Sequence, residues 1–219
     1  MNELQFLTWV RGTGLDIAVA IFVLGVIWRL VEIYSLGRKR DLSAPRHVVG
    51  ASGLNTVFRR SIPAEGMVKK SPVSYVGGYT FHIGLAVVVF FFAPHIKLIS
   101  SLIGVSWPAL PSQFVDFAAV VTMAAMVLVL VDRINKPVKR FLSTFEDWFT
   151  WALTFLPVLT GWMAVQHLFL PYTTLLALHI LSVELLLVFL PFTKLFHAFT
   201  VFGSRWFNGT VNGHKGVAV

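Results

Sequence analysis

Five blocks of apolar residues, each long enough to cross a bilayer, constrain this chain more than anything else in it. They cover about 15–36, 75–94, 114–131, 148–166 and 172–197. A hydrocarbon core about 30 Å thick takes roughly 20 helical residues. Inside it every backbone N–H and C=O must be paired without water, which leaves helices or closed barrels. Barrel strands alternate polar and apolar residues, and these blocks do not. The expected fold is therefore all-α, a polytopic bundle of five transmembrane helices forming one membrane domain over 1–219. Charged residues make up only 13% of the chain against 56% hydrophobic, too few for an ordinary soluble domain of this size. Residues 1–10 lack the basic head and small-residue exit of a cleaved leader, so the first block is expected to remain as a span.

The formal charge of +8 follows the topology. The loop 37–74 carries Arg38, Lys39, Arg40, Arg46, Arg59, Arg60, Lys69 and Lys70 against Asp41 and Glu65. Arg133, Lys136, Lys139 and Arg140 follow the third span, and Lys194, Arg205 and Lys215 follow the fifth. The other side has little beyond Arg11 and Lys97. Basic loops stay in the cytoplasm, which predicts an outside amino terminus and a cytoplasmic carboxyl terminus. An odd number of spans requires the same. Placed this way, the charge is no sign of nucleic acid. The basic pairs of the loop fix topology, meet anionic lipid headgroups or dock a cytoplasmic partner.

No cysteine is present. Thiolate-held iron–sulfur clusters, covalently attached haem and disulfides are excluded. Electrons passing through such a chain need a non-covalent carrier, and haem b held by histidines is the obvious candidate.

His82 and His95 bracket the second span, His167 ends the fourth, and His179 and His197 bound the fifth, while His47 and His214 read as solvated surface. Ionisable side chains in a bilayer usually face a partner, although a lone histidine is more often a helix–helix hydrogen bond. The 18 residues from His179 to His197 are five turns of one helix, which predicts both rings on one face. With antiparallel spans, His82 shares a depth with His197, and His95 with His179. Thirteen residues separate His82 from His95; on an ideal helix the two face opposite ways, unless Pro94 breaks the helix.

"YTFHIGL", "RINKPVKRFLSTFEDWFTWALTFLPVLTG" and "LHILSVELLLVFLPFTKLFHAFTV" resemble the membrane cytochrome b subunit of respiratory nitrate reductase, its gamma chain. They also resemble related subunits of sulfur-metabolism and heterodisulfide-reductase-type complexes. The resemblance covers spans two to five. It implies a five-helix subunit of a bacterial or archaeal inner membrane, with b haems held by histidines of the second and fifth helices. His82 and His197 match the ligands of the cytoplasmic-side haem, and His179 matches one ligand of the outer haem. The other outer position falls on Phe92, which cannot bind iron. Three alternatives stand: His95 substitutes, His167 substitutes, or the outer haem is absent. His95 is favoured as the residue at the right end of the same helix.

The resemblance further implies quinol oxidation near the outer face and electron transfer to a cytoplasmic iron–sulfur subunit, with the catalytic subunit on another chain. Lys97 is a candidate quinone contact, set against a lysine that reaches for headgroups. Glu184, which leans away from the histidine face, is expected to bridge helices. Arg29 and Glu32, three residues apart, are expected to pair; a haem propionate is the alternative partner for Arg29. Two other classes compete with the cytochrome: a haem-free membrane anchor, and a small transporter relaying protons through its histidines.

Overall fold

A computed structural model of the protein describes residues 2–37, 42–46 and 49–217. Arg38, Lys39, Arg40, Asp41 and His47 lie outside the described residues. The described chain is helical throughout: α1 (Glu3–Trp9), α2 (Leu15–Ser35), α3 (Val49–Arg59), α4 (Met67–Lys70), α5 (Gly78–Phe91), α6 (Ala93–Ile103), α7 (Ser112–Asn135), α8 (Pro137–Phe141), α9 (Phe145–Gln166), α10 (Tyr172–Phe189) and α11 (His197–His214). A π-helical turn over Val10–Gly14 joins α1 to α2, and another over Val73–Gly77 leads into α5.

Among the described residues, five helices are long and apolar enough to cross a membrane: Glu3–Ser35, Val73–Phe91, Ser112–Asn135, Phe145–Gln166 and Tyr172–Phe192. Each coincides with an expected block to within a few residues, apart from the amino-terminal extension of the first. Local chemistry sets the ends. Thr144 and Asp147 form a capping box at the start of α9, satisfying two N–H groups that a helix end leaves open. Lys136 is extended before Pro137 and ends α7, as the residue before a proline is pushed out of the helical region.

Burial follows the rules of a bilayer. Leu24, Trp28, Phe114 and Phe117 stand on the outside, whereas Ala18, Ala119, Ala125, Ala164 and Ala177 fill the contacts between helices. Lipid tails are as apolar as leucine, so helices associate by close backbone approach over small residues. α10 packs between α2 and α9, α9 on α7, and α7 on α5. α5 and α10 are not among the closely packed pairs.

Two expectations need correction. The fifth span is not one helix through His197: it ends at Phe189, and short 3-10 turns over Leu190–Phe192 and Lys194–Phe196 lead to α11. Pro191 lacks an N–H and cannot continue the helical ladder. Five uninterrupted turns therefore do not separate His179 from His197. The segment 37–74 is also more ordered than a loop, because α3 packs along α11. Glycines make that contact close, since a Cβ at Gly209 would lie 2.3 Å from Thr56 Oγ1 and one at Gly213 2.3 Å from Ser52 Oγ.

Spans two and three meet in the same way. A Cβ at Gly84 would stand 2.0 Å from Thr122 Oγ1, while one at Gly78 meets nothing within 4 Å. Gly84→Val is expected to cost about 1–3 kcal/mol, the usual range for overpacking, and Gly78→Ala far less. Thermal unfolding of the two purified variants in one detergent checks this, and equal midpoints would contradict the packing.

Candidate functional site

His82 sits one turn into α5, and its Nδ1–H donates to Gly78 O at 2.7 Å. His197 opens α11, and its Nδ1–H donates to Lys194 O at 2.8 Å. Their ring centres lie 6.1 Å apart with planes at 78°. A second pair forms at the other end of the bundle. His95, on α6, faces His179, on α10, with centres again 6.1 Å apart and planes at 19°.

His95 reaches this position because the helix breaks ahead of it. Phe92 is extended (ψ 125°), and α6 starts afresh with Pro94 in its first turn. A continuous helix would have left His95 facing away from His82. The break orphans the last carbonyls of α5, which is costly in hydrocarbon, and three of them find donors. Val88 O accepts from His95 Nδ1 at 2.9 Å, Phe90 O from Trp107 Nε1 at 2.6 Å, and Phe91 O from Leu110 N at 3.0 Å. Phe92, at the position of the missing ligand, packs its ring edge-on against His95 with centres 5.2 Å apart.

His179 is seated by α9. Its Nδ1–H donates to Pro157 O at 3.0 Å. Gly161 leaves room for the ring, since a Cβ there would lie 2.9 Å from His179 Cε1. His197 is held by three residues whose part was not foreseen from the sequence. Glu146 Oε1 accepts from the Lys194 backbone N–H at 2.6 Å, and the Lys194 ammonium donates to Asp147 Oδ1 at 2.9 Å. Lys194 O, fixed by both, takes the His197 Nδ1–H. The capping box at Thr144 was the available signal, because it aims acidic side chains out of the start of α9.

All four imidazoles therefore share one backbone contact. A carbonyl accepts only from N–H, so Nδ1 carries a proton and Nε2 is the nitrogen turned away from the backbone, the arrangement common to metal-ligating histidines. Among the described residues no cluster of three or more His, Cys, Asp or Glu is placed to hold a bare metal ion. Two imidazoles on opposite sides suit a metal that brings its own equatorial ligands, as a porphyrin does. Metal–imidazole bonds of about 2 Å, with about 1.1 Å from nitrogen to ring centre, put axial ring centres about 6 Å apart. The observed separation is 6.1 Å at both pairs, so in ring spacing the donor sets fit the group.

The remaining candidates are placed plainly. His167 ends α9 in the left-handed region (φ 54°) and rests on Tyr172, with ring centres 5.2 Å apart. It is not brought against His179. Lys97 is exposed on α6, two residues beyond His95. Arg29 pairs with Glu32 as expected, and its guanidinium lies 5.6 Å over the Phe196 ring, beside His197. Glu184 is 5% exposed and abuts Gly14, yet its Oε1 has no hydrogen-bond partner among the described residues, so the expected polar bridge is not made through that atom. His214 is not bare surface, since its Nε2 lies 3.1 Å from Ser43 Oγ and its carbonyl accepts from Arg46 N.

Fold and helix composition define a multi-pass helical membrane protein. The chain is 32% identical over 194 residues to a protein of Nitratidesulfovibrio vulgaris (strain Hildenborough), covering 88% of this chain and 82% of the relative. It belongs to the family of that protein, whose name, "Protein", states no activity. No family profile matches the chain, and no solved structure matches it.

Removing the support under His197 is expected to loosen it without unfolding the bundle. A hydrogen bond to a charged group contributes roughly 1.5–3 kcal/mol. Glu146→Ala should therefore raise amide exchange over residues 193–197 at least about tenfold and leave α10 unchanged. Hydrogen exchange with mass spectrometry measures it, and unaltered exchange over 193–197 would contradict the seating.

Proposed function

We propose that this chain is a b-type cytochrome subunit of a respiratory membrane complex, similar in plan to the nitrate reductase gamma chain. Its part is to pass electrons between the quinone pool and a cytoplasmic iron–sulfur partner. The observation that carries the reading is the paired geometry: His82 against His197 and His95 against His179, each 6.1 Å apart at the ring centres. One pair joins α5 to the start of α11 and the other joins α6 to α10, and neither of these helix pairs is closely packed. A haem b held by these histidines would supply one-electron transfer.

The chain's own residues do the rest. Gly78, Val88, Pro157 and Lys194 fix the four imidazole tautomers through their carbonyls. Phe92 and Gly161 shape the walls around the second pair. By the positive-inside rule, the face carrying 37–74 is cytoplasmic. His82 and His197 then lie toward the iron–sulfur partner, and His95 and His179 toward the outer side of a bacterial or archaeal inner membrane. Lys97, exposed beside His95, is the side chain available to donate a hydrogen bond to a quinone oxygen. Arg29, beside Phe196, is placed to meet a carboxylate near the cytoplasmic pair. The terminal chemistry belongs to another subunit.

Difference spectra of the purified protein, reduced minus oxidised, test the assignment. The wild type should give a sharp b-type alpha band. His82→Ala and His197→Ala should each abolish one component, and His95→Ala and His179→Ala the other. A wild type without the band removes the cytochrome and leaves the anchor or the transporter. A band untouched by all four substitutions removes these ligands.

A further inference from the structure

On the side of α5 away from His82, an open apolar groove of about 650 Å³ runs between α5, α7 and the segment after α3. Small-molecule sites typically have volumes of about 300–1,000 Å³. Ile62, Val76, Ile83, Val87, Phe117 and Val121 line it. From Val76 to Val87 the chain rises about 16 Å, close to half of a hydrocarbon core of about 30 Å. The groove is one leaflet deep.

The basic side chains gather at one end. Ser61 lies at that end; its carbonyl accepts from Tyr79 Oη at 2.7 Å, and its Oγ accepts from Arg205 Nη1 at 2.8 Å. Arg205 has further N–H donors beyond the one used here. Arg60 is exposed next to Ser61, and Lys69 and Lys70 directly follow the lining residue Val68, with Glu65 the acid between. Among the described residues none of these four cations forms an ion pair. A partner helix would need an apolar face as tall as the whole bilayer, and it would leave these charges unmatched.

We propose that the groove seats an acyl chain of one anionic phospholipid from the leaflet on the side of the 37–74 segment, with its phosphate held by Arg205 and Arg60. The apolar walls hold the tail, and the cationic end selects the headgroup, since each basic side chain near an anionic surface favours it by about 1 kcal/mol. The site is independent of haem.

Native mass spectrometry of the purified protein, exchanged into equal amounts of phosphatidylglycerol and phosphatidylcholine with identical chains, tests the proposal. The wild type should retain one phosphatidylglycerol, preferred at least about fivefold, the factor one guanidinium supplies. Val76→Trp fills the groove at a position already 58% exposed and should lose the retained lipid at an unchanged melting point. Arg205→Gln should retain lipid with the preference lowered about fivefold. Equal retention of the two lipids by the wild type overturns the proposal. So does full retention by Val76→Trp, or a lipid-free dimer that leaves the groove filled by a second copy.

Discussion

The hydrogen bond from an imidazole Nδ1–H to a backbone carbonyl is the interaction on which the histidine arrangement depends. In hydrocarbon an unpaired carbonyl costs several kcal/mol, so a chain that breaks its helices must supply donors from elsewhere. Here the break after Phe91 is answered by His95, Trp107 and Leu110, and the break after Phe189 brings Lys194 O to His197. Satisfying the backbone and orienting the ring are one event. The same bond fixes which nitrogen faces the backbone, so that a structural requirement of the bilayer turns four Nε2 atoms the other way.

The pairs also explain why the bundle is loosest where it is. α10 leans on α2 and α9, and α5 on α7, which ties the helices of His179 and His82 to neighbours but not to each other. The small residues that close the other contacts, such as Gly84 against Thr122, are the opposite case: backbone meets backbone and nothing fits between. Close packing on the flanks holds the facing imidazoles apart at a fixed 6.1 Å. Lys194 adds a second constraint from α9, through Glu146 and Asp147.

Much of this was legible in the sequence. Block length alone located the spans, since no other secondary structure hides its backbone over 20 apolar residues. Histidine depth gave the two pairs, because antiparallel spans equate the start of one with the end of the other. The periodicity from His179 to His197 assumed a continuous helix that Pro191 interrupts. A repeat of 3.6 residues says nothing across a break. The opposition of His95 and His82 on an ideal helix dissolved for the same reason, with Pro94 as the visible warning. The roles of Glu146, Asp147 and Gly161 were not legible in spacing, since they act on residues 18 to 48 positions away; the capping box at Thr144 marked only the place of the two acids.

Haem stoichiometry reaches the centre of this account most directly. Pyridine haemochrome quantitation against protein mass, on the wild-type chain purified in mild detergent, counts the groups held. Two b haems per chain are predicted, one for each imidazole pair. A value of zero would leave four well-oriented histidines with no iron between them, and a value of one would return His95 and His179 to helix packing.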